Sequence, residues 1–200
     1  MKGFTLIELL IAIGVFTILV AIGVGGFVHA LHTQREVAAL IAAQSNASIA
    51  LEQMAREIRT GYLFCTAGGT NPAVQNAACQ PQGNSGCTIL NNVWTCKNIL
   101  DFYNANGNNV DYELANGTLE RSQTGSNGYT AITGDNVNVS NLTFTIFGNT
   151  EGDNWPPRIT ISMGVVPSST DPAVASDTVS LQTTISARQI DCTSGSPAQC

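Results

Sequence analysis

Residues 4–28 read FTLIELLIAIGVFTILVAIGVGGFV. The run is apolar almost without interruption, and its only charge is Glu8. A helix needs about 20 apolar residues to cross a bilayer, so this stretch is long enough to span one. A carboxylate near the centre of such a helix carries a penalty of roughly 2.5–3.5 kcal/mol, so an acid in this position is read first as functional. Position alone leaves a second reading open. Glu8 lies only about 6 Å along the helix from Phe4 at 1.5 Å per residue, within reach of the headgroups by snorkelling. The run is preceded only by Met1-Lys2-Gly3, has no small-residue cleavage signal behind it, and flows into a further helical pattern. It does not have the build of an ordinary secretory signal peptide.

The helical pattern continues beyond the apolar run. Val37, Leu40, Ile41, Ala47, Leu51, Met54, Ile58 and Tyr62 recur at helical spacings, which predicts one apolar face. Gln44, Glu52, Arg56 and Arg59 fall elsewhere around the helix, and no proline interrupts residues 4–62. The whole helix would run about 85 Å. Its first half is expected in lipid, and its second half under a globular head. Gly61 is the expected stop. Gly14, Gly23, Gly25 and Gly26 suit close helix packing, and the stretch from Gly23 to Gly26 is where the helix would melt most readily. His29 and His32 just beyond are read as interfacial polar residues.

Beyond residue 98 the period changes to two. Ile99–Tyr103 reads as a strand, and VDYELANGTLER as a hairpin turning at Asn116-Gly117. The stretches 141–147, 158–166 and 179–188 alternate in the same way, the second entered through Pro156-Pro157. About five strands, each apolar on one side, make an antiparallel sheet with one wet face. The apolar helix face is its natural cover. The fold class expected is therefore α+β.

Residues 66–98 are rich in turn-forming residues, and CTILNNVWTC (87–96) is symmetric about Asn91-Asn92. A two-residue hairpin there pairs Leu90 with Val93, Ile89 with Trp94 and Cys87 with Cys96. The cysteines fall at a non-hydrogen-bonded position, about 4.5 Å apart at Cα, which suits a disulfide. The six cysteines, at 65, 79, 87, 96, 192 and 200, all lie beyond the apolar run. An even count in a small loop-rich region points to an oxidising compartment. Six cysteines allow fifteen connectivities, and spacing does not choose among them. The spacings do not match structural zinc knuckles.

The residues MKGFTLIELLIAI resemble the class III signal of type IV pilins and of the pseudopilins of type II secretion systems, over residues 1 to about 60. The resemblance implies a leader of residues 1–3, cut after Gly3 by a prepilin peptidase that then methylates Phe4. It implies that Glu8, fifth in the mature chain, pairs with the N-terminal amine of a neighbouring subunit during assembly. The helix end LEQMAREIRTGYLF, the ANGTLER hairpin and the PPRITISMGV strand are similar to J-type minor pseudopilins and the corresponding minor pilins. Cys192–Cys200 resembles the C-terminal disulfide loop of many type IV pilins, and with Cys87–Cys96 it leaves Cys65 to Cys79. The organisation expected is 4–31 transmembrane or filament-core helix, 32–62 amphipathic helix, 63–98 disulfide-bearing loops, and 99–200 sheet and C-terminal loop.

Function classes narrow accordingly. The chain has no serine-hydrolase elbow, zinc-protease helix motif or phosphate loop, and no histidine outside the helix, so no enzyme is expected. From residue 63 onward Lys97, Arg121, Arg158 and Arg188 stand against ten acidic residues, a poor match for nucleic acid. No cofactor and no metal is expected. The acidic loops 151–154 and 171–177 carry oxygen ligands but no EF-hand pattern, and are read as solvated. The expected partners are the prepilin peptidase, other pilin-like subunits and the inner membrane. The N-terminus is placed in the cytoplasm by Lys2 and the head outside by the cysteines. The alternative is a membrane-anchored exported binding module that never enters a filament.

Overall fold

The computed structural model describes residues 5–64, 86–123, 128–149, 155–168 and 178–188. It divides into two compact units, Met1–Ala39 and Leu40–Cys200. A single α-helix, α1 (Leu6–Arg59), supplies the described part of the first unit beyond Thr5 and opens the second. The Thr5 carbonyl accepts from the amides of Glu8 and Leu9 at 3.1 and 3.3 Å, starting the helical ladder. In the first unit the large apolar side chains are uncovered all round; Leu6 is 80% and Ile22 70% exposed. The hydroxyls of Thr17 and Thr33 bond back to the carbonyls of Gly14 and His29, so neither needs water. The helix is continuous through Gly23–Gly26.

The second unit holds the end of α1 and nine strands: β1 (Gly86–Leu90), β2 (Val93–Lys97), β3 (Ile99–Tyr103), β4 (Asn109–Ala115), β5 (Thr118–Gln123), β6 (Thr130–Ala131), β7 (Val137–Phe147), β8 (Arg158–Pro167) and β9 (Val179–Ser186). The α+β expectation holds. The strands do not form one meander, however. They divide into a five-stranded antiparallel sheet, β1-β2-β7-β8-β9, and a four-stranded one, β3-β4-β5-β6. Asn98, between β2 and β3, is where the chain leaves one sheet for the other. Its φ of 60° is left-handed, which Asn tolerates better than most residues. Its amide bonds Leu142 O in one sheet and its carbonyl receives Leu114 N from the other. A register shift in β7 between Val139 and Asn141 bends the longest strand.

Both hairpins turn where the sequence puts them. Asn91 and Asn92 have φ of 52° and 60°, and Asn116 and Gly117 of 50° and 79°, the paired positive angles of type I′ turns. Leu90 then pairs with Val93, Ile89 with Trp94 and Cys87 with Cys96.

One apolar core joins the two sheets to α1. The helix contributes Ala43, Ala47, Ala50, Leu51, Met54 and Ile58. This corrects the expected face at its upper end: Val37 and Ile41 are 48% and 60% exposed, and the stripe begins at Ala43. Small side chains there let backbone and sheet approach closely, which large ones would block. At its far end α1 stops with bonds from Thr60 N to Glu57 O and Gly61 N to Ile58 O, and Arg188 N caps the Arg59 carbonyl. Gly61 sits where a Cβ would meet the Phe102 ring at 2.5 Å, so the stop is also a close packing point. Tyr62 then bridges to Tyr103 through two backbone bonds.

Candidate functional site

Glu8 stands in the first turn of α1. It is exposed, as are its neighbours Leu6, Ile7, Leu9 and Leu10. No described residue bonds to its carboxylate. Gly3 and Phe4 lie outside the described residues. Within α1, among the described residues, one stretch is long and apolar enough to cross a membrane, and it is the stretch that carries Glu8. An acid near the N-terminus of a helix is favoured by the helix dipole, but in hydrocarbon that is a small return against its desolvation. A carboxylate so placed can accept from a cation or a proton donor.

The second glutamate of interest, Glu57, was not singled out by the sequence. It lies beside the buried stripe, and its carboxylate takes a hydrogen bond from Tyr112 Oη at 2.6 Å and from Arg121 Nε at 2.8 Å. A second arginine nitrogen reaches the other oxygen at 2.5 Å, making a two-pronged ion pair. Burial pushes the Glu57 pKa up, but the bonds from Arg121 and Tyr112 and the arginine charge outweigh it, and the net shift is downward. Tyr112 is raised by burial and by its bond to Glu57, and Arg121 is raised by its bond to Glu57. A signal for this cluster was present. Tyr112 and Arg121 are register partners on the strand face that also carries Leu119, and polar groups on a core-facing side need a partner. A second tie is Asn46, whose side chain bonds Asn136 Oδ1 at 2.8 Å and receives Gly134 N at 3.2 Å.

Cys87 and Cys96 form a disulfide with Cα atoms 3.9 Å apart, stapling the β1–β2 hairpin to itself at the edge of the five-stranded sheet. Cys65, Cys79, Cys192 and Cys200 lie outside the described residues, as do the acidic loops 151–154 and 171–177. Among the described residues no three His, Cys, Asp or Glu side chains converge as metal ligands. His32 Nδ1 lies 2.8 Å from Glu36 Oε1, one turn on.

The outer face of the four-stranded sheet gathers acids. Asp101 and Asp111 are direct register partners, with Glu113 two residues along β4. Asp111 Oδ1 is buried and accepts no hydrogen bond from the described residues. Burial, then the charge of Glu113, raises its pKa. Tyr129 above this group is pushed up to about 12 by burial and by Asp111 and Glu113.

No curated protein and no solved structure matches the chain. Residues 1–24 match the family model described as the prokaryotic N-terminal methylation motif. The proteins that carry this prepilin-type motif are structural subunits, and it implies processing by a prepilin peptidase and assembly with other pilins. Together with the apolar helix that follows it, the motif points to membrane anchoring and supports a type IV pilin-like subunit.

Proposed function

We propose that this chain is a minor pilin or pseudopilin, similar to J-type minor pseudopilins, that assembles through α1 into or at the tip of a type IV pilus or type II secretion pseudopilus. Cleavage after Gly3 frees the amine of Phe4, which is then methylated. That amine and the Glu8 carboxylate of a neighbouring subunit are each expensive alone in an apolar setting, and each relieves the other. Helices in lipid gain little register from apolar contact alone, so this charge pair sets the axial stagger. The subunit inserts in the inner membrane with its N-terminus cytoplasmic and its head outside. Cys65–Cys79 and Cys192–Cys200 close local loops of that head.

The observation that carries the proposal is Glu8: a carboxylate on an uncovered apolar helix, with no described partner in its own chain. Mass spectrometry of protein recovered from cells with a working prepilin peptidase should find methylated Phe4 as the first residue. An intact Met1 sinks the processing step. Glu8→Ala should still insert in the membrane but lose capture of partner subunits. Wild-type capture would instead favour a snorkelling Glu8 and a membrane-anchored binding module outside any filament.

A further inference from the structure

The five-stranded sheet has a second face, and its composition is unusual. The core-facing row Trp94, Ile146, Ile159 and Ile185 is buried throughout. One residue along every strand, the opposite face carries Thr88, Thr95, Thr145, Thr160 and Thr184. These are successive register partners, so a single line of threonines crosses all five strands. The row on one side of it is Lys97, Thr143, Ser162 and Gln182. The row on the other is Leu90, Val93, Phe147, Arg158 and Ser186. At that end Leu90 is 75%, Phe147 40% and the nearby Trp155 71% exposed.

Threonine suits strands, and cross-strand threonine pairs stabilise a sheet, as the 2.9 Å contact between the Thr160 and Thr184 hydroxyls illustrates. Stability does not account for the charge pattern. These rows contain no carboxylate, in a chain of net charge −6; their charges are the exposed cations Lys97 and Arg158. The outer face of the other sheet is the reverse, with Asp101, Asp111, Glu113 and Glu120. The molecule therefore offers one hydroxyl-lined, cation-bearing face and gathers acids on another.

We propose that the threonine face docks an acidic polysaccharide, a linear chain of carboxylate-bearing sugars. Strands repeat at about 4.8 Å, so the row presents hydroxyl donors and acceptors at a spacing comparable to the length of a sugar ring. The apolar side chains at that end, Leu90, Val93 and Phe147, receive the C–H faces of the rings. Arg158 and Lys97 take sugar carboxylates, the arginine in two-pronged fashion. A neutral glycan would leave the two cations unpaired, whereas a chain of carboxylate-bearing sugars engages the cations and the hydroxyl row together.

The test is retention of full-length protein in nanodiscs by immobilised polygalacturonate, with dextran and polyglutamate as neutral and non-sugar comparators. Polygalacturonate should bind at least about tenfold more tightly than either. Thr95→Val/Thr145→Val, which breaks no described hydrogen bond of the fold, should weaken binding about tenfold, from two lost hydrogen bonds. Valine fits a strand as well as threonine, so thermal unfolding of that variant should be unchanged and loss of fold is separately visible. Lys97→Gln/Arg158→Gln should weaken binding similarly and flatten its salt dependence. Equal retention by polyglutamate or dextran overturns the proposal. So does unchanged binding by the threonine double variant, which would leave the row a purely structural device.

Discussion

Two stretches of α1 share one backbone and live by opposite rules. Residues 6–28 are far the more apolar, yet their large side chains stand uncovered within the chain. Residues 43–58 are mixed, and their buried face is half alanine, yet Ala43, Ala47, Ala50, Met54 and Ile58 are sealed completely. Apolar content therefore does not measure how much a segment contributes to the folded head; available cover does. The two glutamates repeat the contrast. Glu57 has Tyr112 and Arg121 in its own chain. Glu8 has no partner among the described residues.

The largest effects should separate these stretches. Met54→Ala removes a fully buried side chain and should destabilise the head by about 2–5 kcal/mol. Ile18→Ala, 63% exposed before truncation, should leave the head's thermal midpoint where it was. Equal losses in a thermal melt would erase the distinction. Next comes the glutamate pair. Glu57→Ala strands Arg121 and the Tyr112 hydroxyl and should cost about 2 kcal/mol of head stability. Glu8→Ala should cost none of it while abolishing partner capture. Removing the hairpin staple by Cys87→Ser/Cys96→Ser should cost roughly 2 kcal/mol in the loop-entropy account, seen in melts with and without reductant.

The smallest expected effect is a matter of pH. The Glu57 pKa is lowered by folding, so its contribution is complete above the ordinary carboxylate range and disappears as pH falls through its folded value. The Asp111 pKa is raised, so its effect has the opposite sign: stability is lost as pH rises from the ordinary carboxylate value through the higher folded one. Asp111→Asn should therefore raise the thermal midpoint at neutral pH slightly and remove that loss. A midpoint that falls at neutral pH would show that the Asp111 charge is favourably held.

Legibility followed the range of the interaction. The hairpin register of residues 87–96 could be read because a two-residue turn dictates which residues face each other, and Asn91-Asn92 accept its positive φ angles. The helix could be read along its length, but not where its buried stripe begins. Val37 and Ile41 look more like core than Ala43 and Ala50, and the opposite is true, because close approach of the sheet selects for small size. Alternation told which side of each strand is apolar. It did not say that β3–β6 leave the first sheet at Asn98, since both sheets place apolar residues on one side.

What this chain declares in its own letters is local: an apolar run with one acid, a helix that continues past it, turns at Asn-Asn and Asn-Gly, and strands of period two. Each depends on residues within about one turn or one hairpin of each other. What had to wait for the folded molecule is everything that joins distant residues. Glu57 finds Arg121 across 64 positions, Asn46 finds Asn136 across 90, and Thr88 and Thr184 fall on one line only when five strands are in register. Chain entropy makes such pairings depend on the whole core, so no local pattern announces them.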